Sequence, residues 1–232
     1  MASVKEALKF DLAKSTLSAM NEALHALAAD DARRVTVVNP DGAHSIAVGL
    51  NQPLEVEVQG HAGYYAAGMN KHARVTITGS AGTGVAENMM SGRVHVQGFA
   101  SNGAGASAQG GLLVIDGDAG LRCGISLKGG DIVVGGSVGS FSAFMAQAGR
   151  MVVCGDAGDA LGDSLYEAVI YLGGQARSLG ADARYEPMTE QDYETLGGLL
   201  RQAGIDRNPK SFRRIASARS LYHWNADANQ EY

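Results

Sequence analysis

Several residues in this sequence have the chemistry of a site. His61, His72 and His95 bring to mind a zinc centre, where imidazole nitrogens must converge to about 2.1 Å from one ion. Asp116, Asp118, Asp131, Asp156 and Asp159 offer carboxylates for acid–base work, or for hydrogen bonding to turn amides. Gly103-Ala104-Gly105 with Ala108 matches G-x-G-x-x-A, the glycine pattern of a dinucleotide phosphate loop. Cys123 and Cys154 are the only thiols, and they form no Cys-x-x-Cys pair.

The elements that must position these residues argue against each chemistry. Glycine recurs every 19 positions at Gly60, Gly79, Gly98, Gly117, Gly136, Gly155 and Gly174. Two and four residues earlier stand apolar side chains, from Val56 and Val58 to Ile170 and Leu172. Two residues later stand Ala62, Ala81, Ala100, Ala119, Val138, Ala157 and Ala176. A fixed period of this size marks a solenoid. Alternate apolar residues before a small corner describe a strand with one face inward, one strand per coil. Further glycine columns lie three residues on (Gly63, Gly82, Gly120, Gly139, Gly158) and thirteen on (Gly92, Gly111, Gly130, Gly149). This is the pattern of a β-helix. Without a six-residue sub-period, the expected hand is right. Seven coils at about 4.8 Å make a rod roughly 34 Å long.

In that register the three histidines occupy different coil positions and point from different sides, so a shared metal is not expected. The dinucleotide motif is one set of corners among many, with no helix following it. The acids sit near corners and read as turn caps. The cysteines fall at different coil positions, two coils apart, poorly placed for a disulfide, and read as small buried residues. The sequence thus assigns no catalytic, cofactor-binding or metal residue. A net charge of −5 speaks against non-specific nucleic-acid binding. Neither a long apolar span nor a signal-peptide core is visible, so the expected location is the cytoplasm.

The expected fold class is mainly β: a single-stranded, right-handed parallel β-helix of seven coils over residues 51–187. An N-terminal α/β cap over 1–50 and C-terminal helices over 188–232 flank it. In the cap, Leu17, Met20, Leu24 and Leu27 predict a helix from Thr16 to Ala29. Val35 and Val37, then Ile46 and Val48, predict two short strands around the Asn39-Pro40-Asp41-Gly42 turn. Thr189 to Ala203 predicts a second helix, capped by Thr189 and stopped by Gly204. Val114, Val133, Val152 and Tyr171 would form an outward apolar stripe, expected to be covered by the chain's own termini or by another subunit. The tail from Asn208 to Tyr232 mixes Lys210, Arg213, Arg214 and Arg219 with Phe212, Leu221, Tyr222 and Trp224. It reads equally as a helix on the rod or as an arm reaching another subunit.

Gly60-His61-Ala62-Gly63, Gly79-Ser80-Ala81-Gly82, Gly117-Asp118-Ala119-Gly120 and Gly155-Asp156-Ala157-Gly158 resemble the GXGXG β-helix domain at the C-terminus of glutamate synthase large subunits. Asn39-Pro40-Asp41-Gly42-Ala43-His44 and the run from Phe212 to Trp224 extend the resemblance over essentially the whole chain. Among free-standing members it is most similar to the GXGXG subunit of N-methylglutamate synthase and to GlxC-type proteins. The GXGXG subunits of formylmethanofuran dehydrogenase and of the formyltransferase/hydrolase complex are the alternative. The resemblance implies a non-catalytic subunit of a complex converting methylamine and glutamate to N-methylglutamate and ammonia. It implies a class II glutamine amidotransferase-like partner and a synthase-like partner carrying FMN and an iron–sulfur cluster. This chain fits neither role, with Met1-Ala2-Ser3 where an amidotransferase needs a cysteine and with only two thiols for a cluster.

Overall fold

The computed structural model describes residues 7–28 and 33–218. β1 (Leu8–Asp11) precedes helix α1 (Leu17–His25) and β2 (Arg34–Val38). Seven coil strands follow: β3 (Glu55–Gln59), β4 (Arg74–Ile77), β5 (Arg93–Val96), β6 (Leu112–Ile115), β7 (Asp131–Val134), β8 (Arg150–Val153) and β9 (Val169–Leu172). β10 (Ala183–Glu186), helix α2 (Glu190–Ala203), a short 3₁₀ turn (Pro209–Ser211) and β11 (Arg213–Ser217) complete the order. β1 to β9 pair in parallel, each with the next, and the 19-residue register is unbroken from Val56↔Val75 to Met151↔Ile170. The chain is a parallel β-helix, as its periodicity predicts.

The core is the inside of the coil. Val56, Val58 and their counterparts on every strand are buried, as is the bridge column at Ala62, Ala81, Ala100, Ala119, Val138 and Ala157. A third inward column lies on the far arc: Ile46, Ala66, Val85, Ala104, Cys123, Ser142 and Leu161. On that arc alternate residues take a left-handed backbone, for example Gly103, Gly105 and Ser107 or Phe141, Ala143 and Met145. The alternation sends successive amides up and down the rod: Gly84 N donates to Asn102 O, Ala86 N to Ala66 O and Asn88 N to Ala106 O. The arc is therefore hydrogen-bonded between coils, like the strands.

The main glycine column does a different job from the one its corner position implies. Of its seven members only Gly60 has a positive φ. The others are squeezed by the coil before them: a Cβ on Gly79 would lie 2.6 Å from Gly60 O, and one on Gly117 would lie 2.9 Å from Gly98 O. The left-handed corners belong instead to Gly92, Gly111, Gly130 and Gly149.

Three further expectations are corrected at the N-terminus. Val35 and Val37 lie in β2, but Ile46 and Val48 lie in the first arc, so Asn39–Gly42 is a coil corner and not a hairpin. β2 already pairs in parallel with β3, and the ladder reaches upstream of residue 51. Helix α1 starts at the predicted Thr16 cap but ends at His25, four residues early. Gln52 Nε2 donates to the carbonyls of His25 and Leu27 and turns the chain away there. α1 stands where another coil would sit: Asn21 bonds Ser45 O and Ala47 N, and His25 reaches Val48 O at 2.8 Å. Its Met20 and Leu24 close the apolar end of the rod.

At the other end the tail becomes a strand, not the helix allowed for it. β11 runs antiparallel to β9 and carries β10 on its outer edge. Arg219, Leu221, Tyr222 and Trp224 lie outside the described residues, so the arm reading concerns a segment on which the structure is silent.

α2 matches its predicted span, with a Thr189–Asp192 capping box and Gly204 in the left-handed C-cap. Gly197 and Gly198 break its helical propensity. A Cβ on Gly198 would meet nothing within 4 Å. Gly198→Ala is therefore expected to raise stability by about 0.5–1 kcal/mol, read as a higher midpoint in thermal or denaturant unfolding. Gly139→Ala should do the reverse, because its Cβ would meet Leu121 N at 2.7 Å.

Candidate subunit-docking faces

The outer face of the strand sheet divides in two. Toward the C-terminal end, Leu112, Val114, Val133, Val152 and Tyr171 form one buried cluster with Leu196, Leu199, Leu200 and Ala203 of α2 and with Phe212. The predicted apolar stripe is thus covered by the chain itself. α2 has 14 residues, about 21 Å of helix, against about 19 Å for the four spacings from β5 to β9. Both its ends are fastened. At the N-terminal end Tyr171 Oη donates to Asp192 Oδ1 at 2.7 Å, and Arg214 lies 3.3 Å from the same carboxylate and also pairs with Glu186. At the C-terminal end Arg93 donates to the Gln202 carbonyl at 2.8 Å, a cation placed at the negative end of the helix dipole.

Beyond Arg93 the helix stops, and no described residue covers the sheet. There the inner of the two outward columns turns from valine to polar residues, Thr36, Glu57, Thr76 and His95, while the other carries Arg34, Glu55, Arg74 and Arg93 and, under the covered half, the paired Asp131 and Arg150. Most of these residues line a shallow groove of ≈ 290 Å³. His95 sits at the boundary, its Nε2 2.8 Å from Asp116.

The arc carries a second candidate face. Leu121, Phe141 and Met145 are 49%, 43% and 50% exposed, and the Phe141 and Phe144 rings meet edge to face at 6.2 Å. Phe141 and Met145 hold left-handed backbones at positions where other coils place Gly103 and Gly84, or Ser107 and Asn88. Bulky residues there strain the chain without filling its core.

The residues first considered for catalysis are mostly structural. His61 Nδ1 accepts from Ser80 N at 3.0 Å. Asp118 and Asp156 accept from Ser137 N and Gln175 N, both at 2.7 Å, so these two acids cap turns as expected. Asp131 instead forms a two-pronged pair with Arg150, and Asp159 reaches Arg177 at 3.4 Å. His61, His72 and His95 are not brought together, and no group of three metal-ligating side chains occurs among the described residues. Gly103, Ala104 and Gly105 lie on the arc between coils, with no helix after them. Gly135-Gly136-Ser137-Val138-Gly139 has the spacing of a nucleophile elbow, which sequence reasoning overlooked. It follows β7 into a corner and not into a helix, and Ser137 Oγ accepts from Asp156 N at 3.0 Å.

Both cysteines are free and buried. Cys123 points into the coil and Cys154 lies under α2, in separate clusters. Burial pushes the Cys123 thiol up to about 12. Thiols so placed do not fit an iron–sulfur cluster, which needs several thiolates converging on one centre.

The fold and its surfaces define a parallel β-helix with one self-covered sheet face, one open charged face and an apolar arc. No family model matches the chain. It is 51% identical over 224 residues to Protein GlxC of Rhizobium meliloti strain 1021, covering 96% of this chain and 98% of GlxC. The chain belongs to the GlxC family. Its fold also matches a chain of the formyltransferase/hydrolase complex FhcABCD from Methylorubrum extorquens, solved with methylofuran. That match has a TM-score of 0.67 at 21% identity, over 93% of this chain and 96% of the other. No helix among the described residues is long and apolar enough to cross a membrane.

The lock on α2 has a pH signature. Burial works to raise Asp192, but the Thr189 hydroxyl and amide, Tyr171 and Arg214 outweigh it and bring the carboxyl below its ordinary 3.8. Arg184, with Arg214, outweighs burial at Glu186 and brings it below 4.5. Both folded values lie below the unfolded ones, so the stabilisation is complete above those ordinary values and fades as pH falls through the folded ones. Hydrogen exchange in α2 should accelerate below about pH 4 before exchange in β4–β7 does. Asp192→Asn should cost on the order of 1–3 kcal/mol at neutral pH and flatten that acid response.

Proposed function

We propose that this chain is a non-catalytic architectural subunit of a glutamate synthase-like complex acting in the cytoplasm. Its partners would be a class II glutamine amidotransferase-like subunit and an FMN- and iron–sulfur-bearing synthase-like subunit. The complex would convert methylamine and L-glutamate to N-methyl-L-glutamate and ammonia. Membership of the GlxC family supports this reading, taken with the resemblance of the glycine repeats to the GXGXG domain. The surface supports it: a stiff rod with a charged face and an apolar arc offers two places for other subunits to hold. The buried, separated thiols favour placing the cluster in a partner. The role left to this chain is to keep two active sites at a fixed separation, so that an intermediate released at one reaches the other.

A second reading is the scaffold of a formyltransferase/hydrolase-type complex. The fold shared with a chain of FhcABCD favours it, because that protein is itself a complex.

Affinity capture of the tagged chain, co-expressed with its amidotransferase-like and synthase-like candidates, tests the proposal. The expected result is a stoichiometric complex carrying flavin absorbance that the lone chain lacks. Capture of formyltransferase- and hydrolase-like subunits instead would select the second reading. Turnover of substrate by the lone chain would overturn both.

A further inference from the structure

We infer that the open half of the sheet, β2 to β5, is the seat of a carboxylate-bearing element of a partner subunit, received between Arg74 and Arg93. This inference rests on the architectural role proposed above.

The two arginines are cross-strand neighbours in coils of equal length, and Arg74 pairs in register with Arg93. Like charges placed directly opposite in a sheet oppose one another. Arg93 has one outlet, the Gln202 carbonyl at the end of α2. Burial first, then the neighbouring Arg74, hold its guanidinium below its ordinary value, and Asp116 offsets this only in part. Arg74 makes no hydrogen bond or ion pair among the described residues. Glu55, its other in-register neighbour, is engaged at 3.4 Å by Arg34. Two forked donors thus arise on strands one spacing apart, about 4.8 Å, and no described carboxylate is hydrogen-bonded to either guanidinium. A carboxylate above them would bond to both and relieve their repulsion.

The same face argues for a protein and against a free small anion. Glu55 and Glu57 flank the arginines in the same groove and would repel a diffusing anion. A folded partner can set an acid over the arginine pair and a cation over Glu57, which among the described residues is bonded by Gln59 of its own strand. Alternating charge of this kind fixes register and rejects wrong partners more than it adds affinity. The covered half shows what the seat admits. α2 packs on the valine column and ends at Arg93, where that column gives way to His95, Thr76 and Glu57.

The test is Arg74→Glu in the co-expressed complex, with Arg74→Lys, Arg93→Glu and the arc variant Met145→Ser alongside. Arg74 has no partner to lose among the described residues, so Arg74→Glu should melt within a degree or two of wild type. It should lower captured partner at least tenfold, while Arg74→Lys keeps part of it and capture weakens with added salt. Wild-type capture left unchanged by both arginine reversals would overturn the inference and leave the architectural role standing. A second arm needs no partner: binding of a ten-residue peptide of alternating glutamate and lysine to the purified full chain at low salt. Binding abolished by Arg74→Glu supports the carboxylate seat even where co-expression yields no complex, a result that would sink the architectural role alone. Failure of both arms overturns the seat.

Discussion

Everything in this molecule depends on backbone hydrogen bonds between neighbouring coils held in one fixed register. The bonds run along the strands, through the alanine bridge column and around the left-handed arc, so each coil is tied to the next over most of its circumference. Within such a stack a change in coil length would break bonds on both sides, so the step departs from its repeat only toward the ends, where Val35 pairs with Val56 and Leu161 bridges to Leu179. That is why seven strands keep the 19-residue step without an insertion, and why glycine persists where one coil's backbone presses on another's. It also makes the rod resist shear, because sliding one coil breaks bonds around the whole perimeter at once. The two ends, where the ladder would be left open, are closed by different means. Side chains of α1 imitate a missing coil at one end, and an antiparallel strand pair closes the other.

The faces of the rod follow from the same register. Any column of outward residues becomes a stripe, so a stripe of valines demands a cover and a stripe of charges can stay in water. α2 is long enough to cover four strand spacings, and the column of Val114, Val133, Val152 and Tyr171 changes to polar residues where it ends. The helix is fastened at one end by the Tyr171–Asp192–Arg214 group and at the other by Arg93. Arg93 therefore belongs to both halves of the sheet: it secures the helix that covers one half and borders the surface left open on the other.

Much of this was legible in the sequence, for a physical reason. Stacking puts like residues on like, so the 19-residue period alone placed Val58 inside, Val133 outside and the histidines on separate sides. The capping of α2 was also local: Thr189 and Gly204 are enough to define its ends, and the structure adds Asp192 to complete the capping box. What escaped was set by neighbouring coils and by the caps. The arc's alternating backbone is written partly with tyrosine, methionine and phenylalanine, residues that ordinarily avoid left-handed geometry, so composition hid it. The Asn39–Gly42 turn looks like a hairpin turn, and only pairing with β3 shows that it is a coil corner. The tail's mixture of arginines and aromatics gave no period, so β11 could not be told from a helix. The docking faces lay between these cases: their columns were visible, but the boundary at Arg93 required knowing where α2 rests.

If this chain contributes position and no chemistry, reconstitution of the purified three-subunit complex with and without it shows that directly. Glutamine hydrolysis and flavin reduction should then survive in the partners alone. Methylamine-dependent formation of N-methylglutamate should fall by at least tenfold and return when the chain is added back. Full methylamine-dependent turnover by the two partners without the chain would contradict an architectural role.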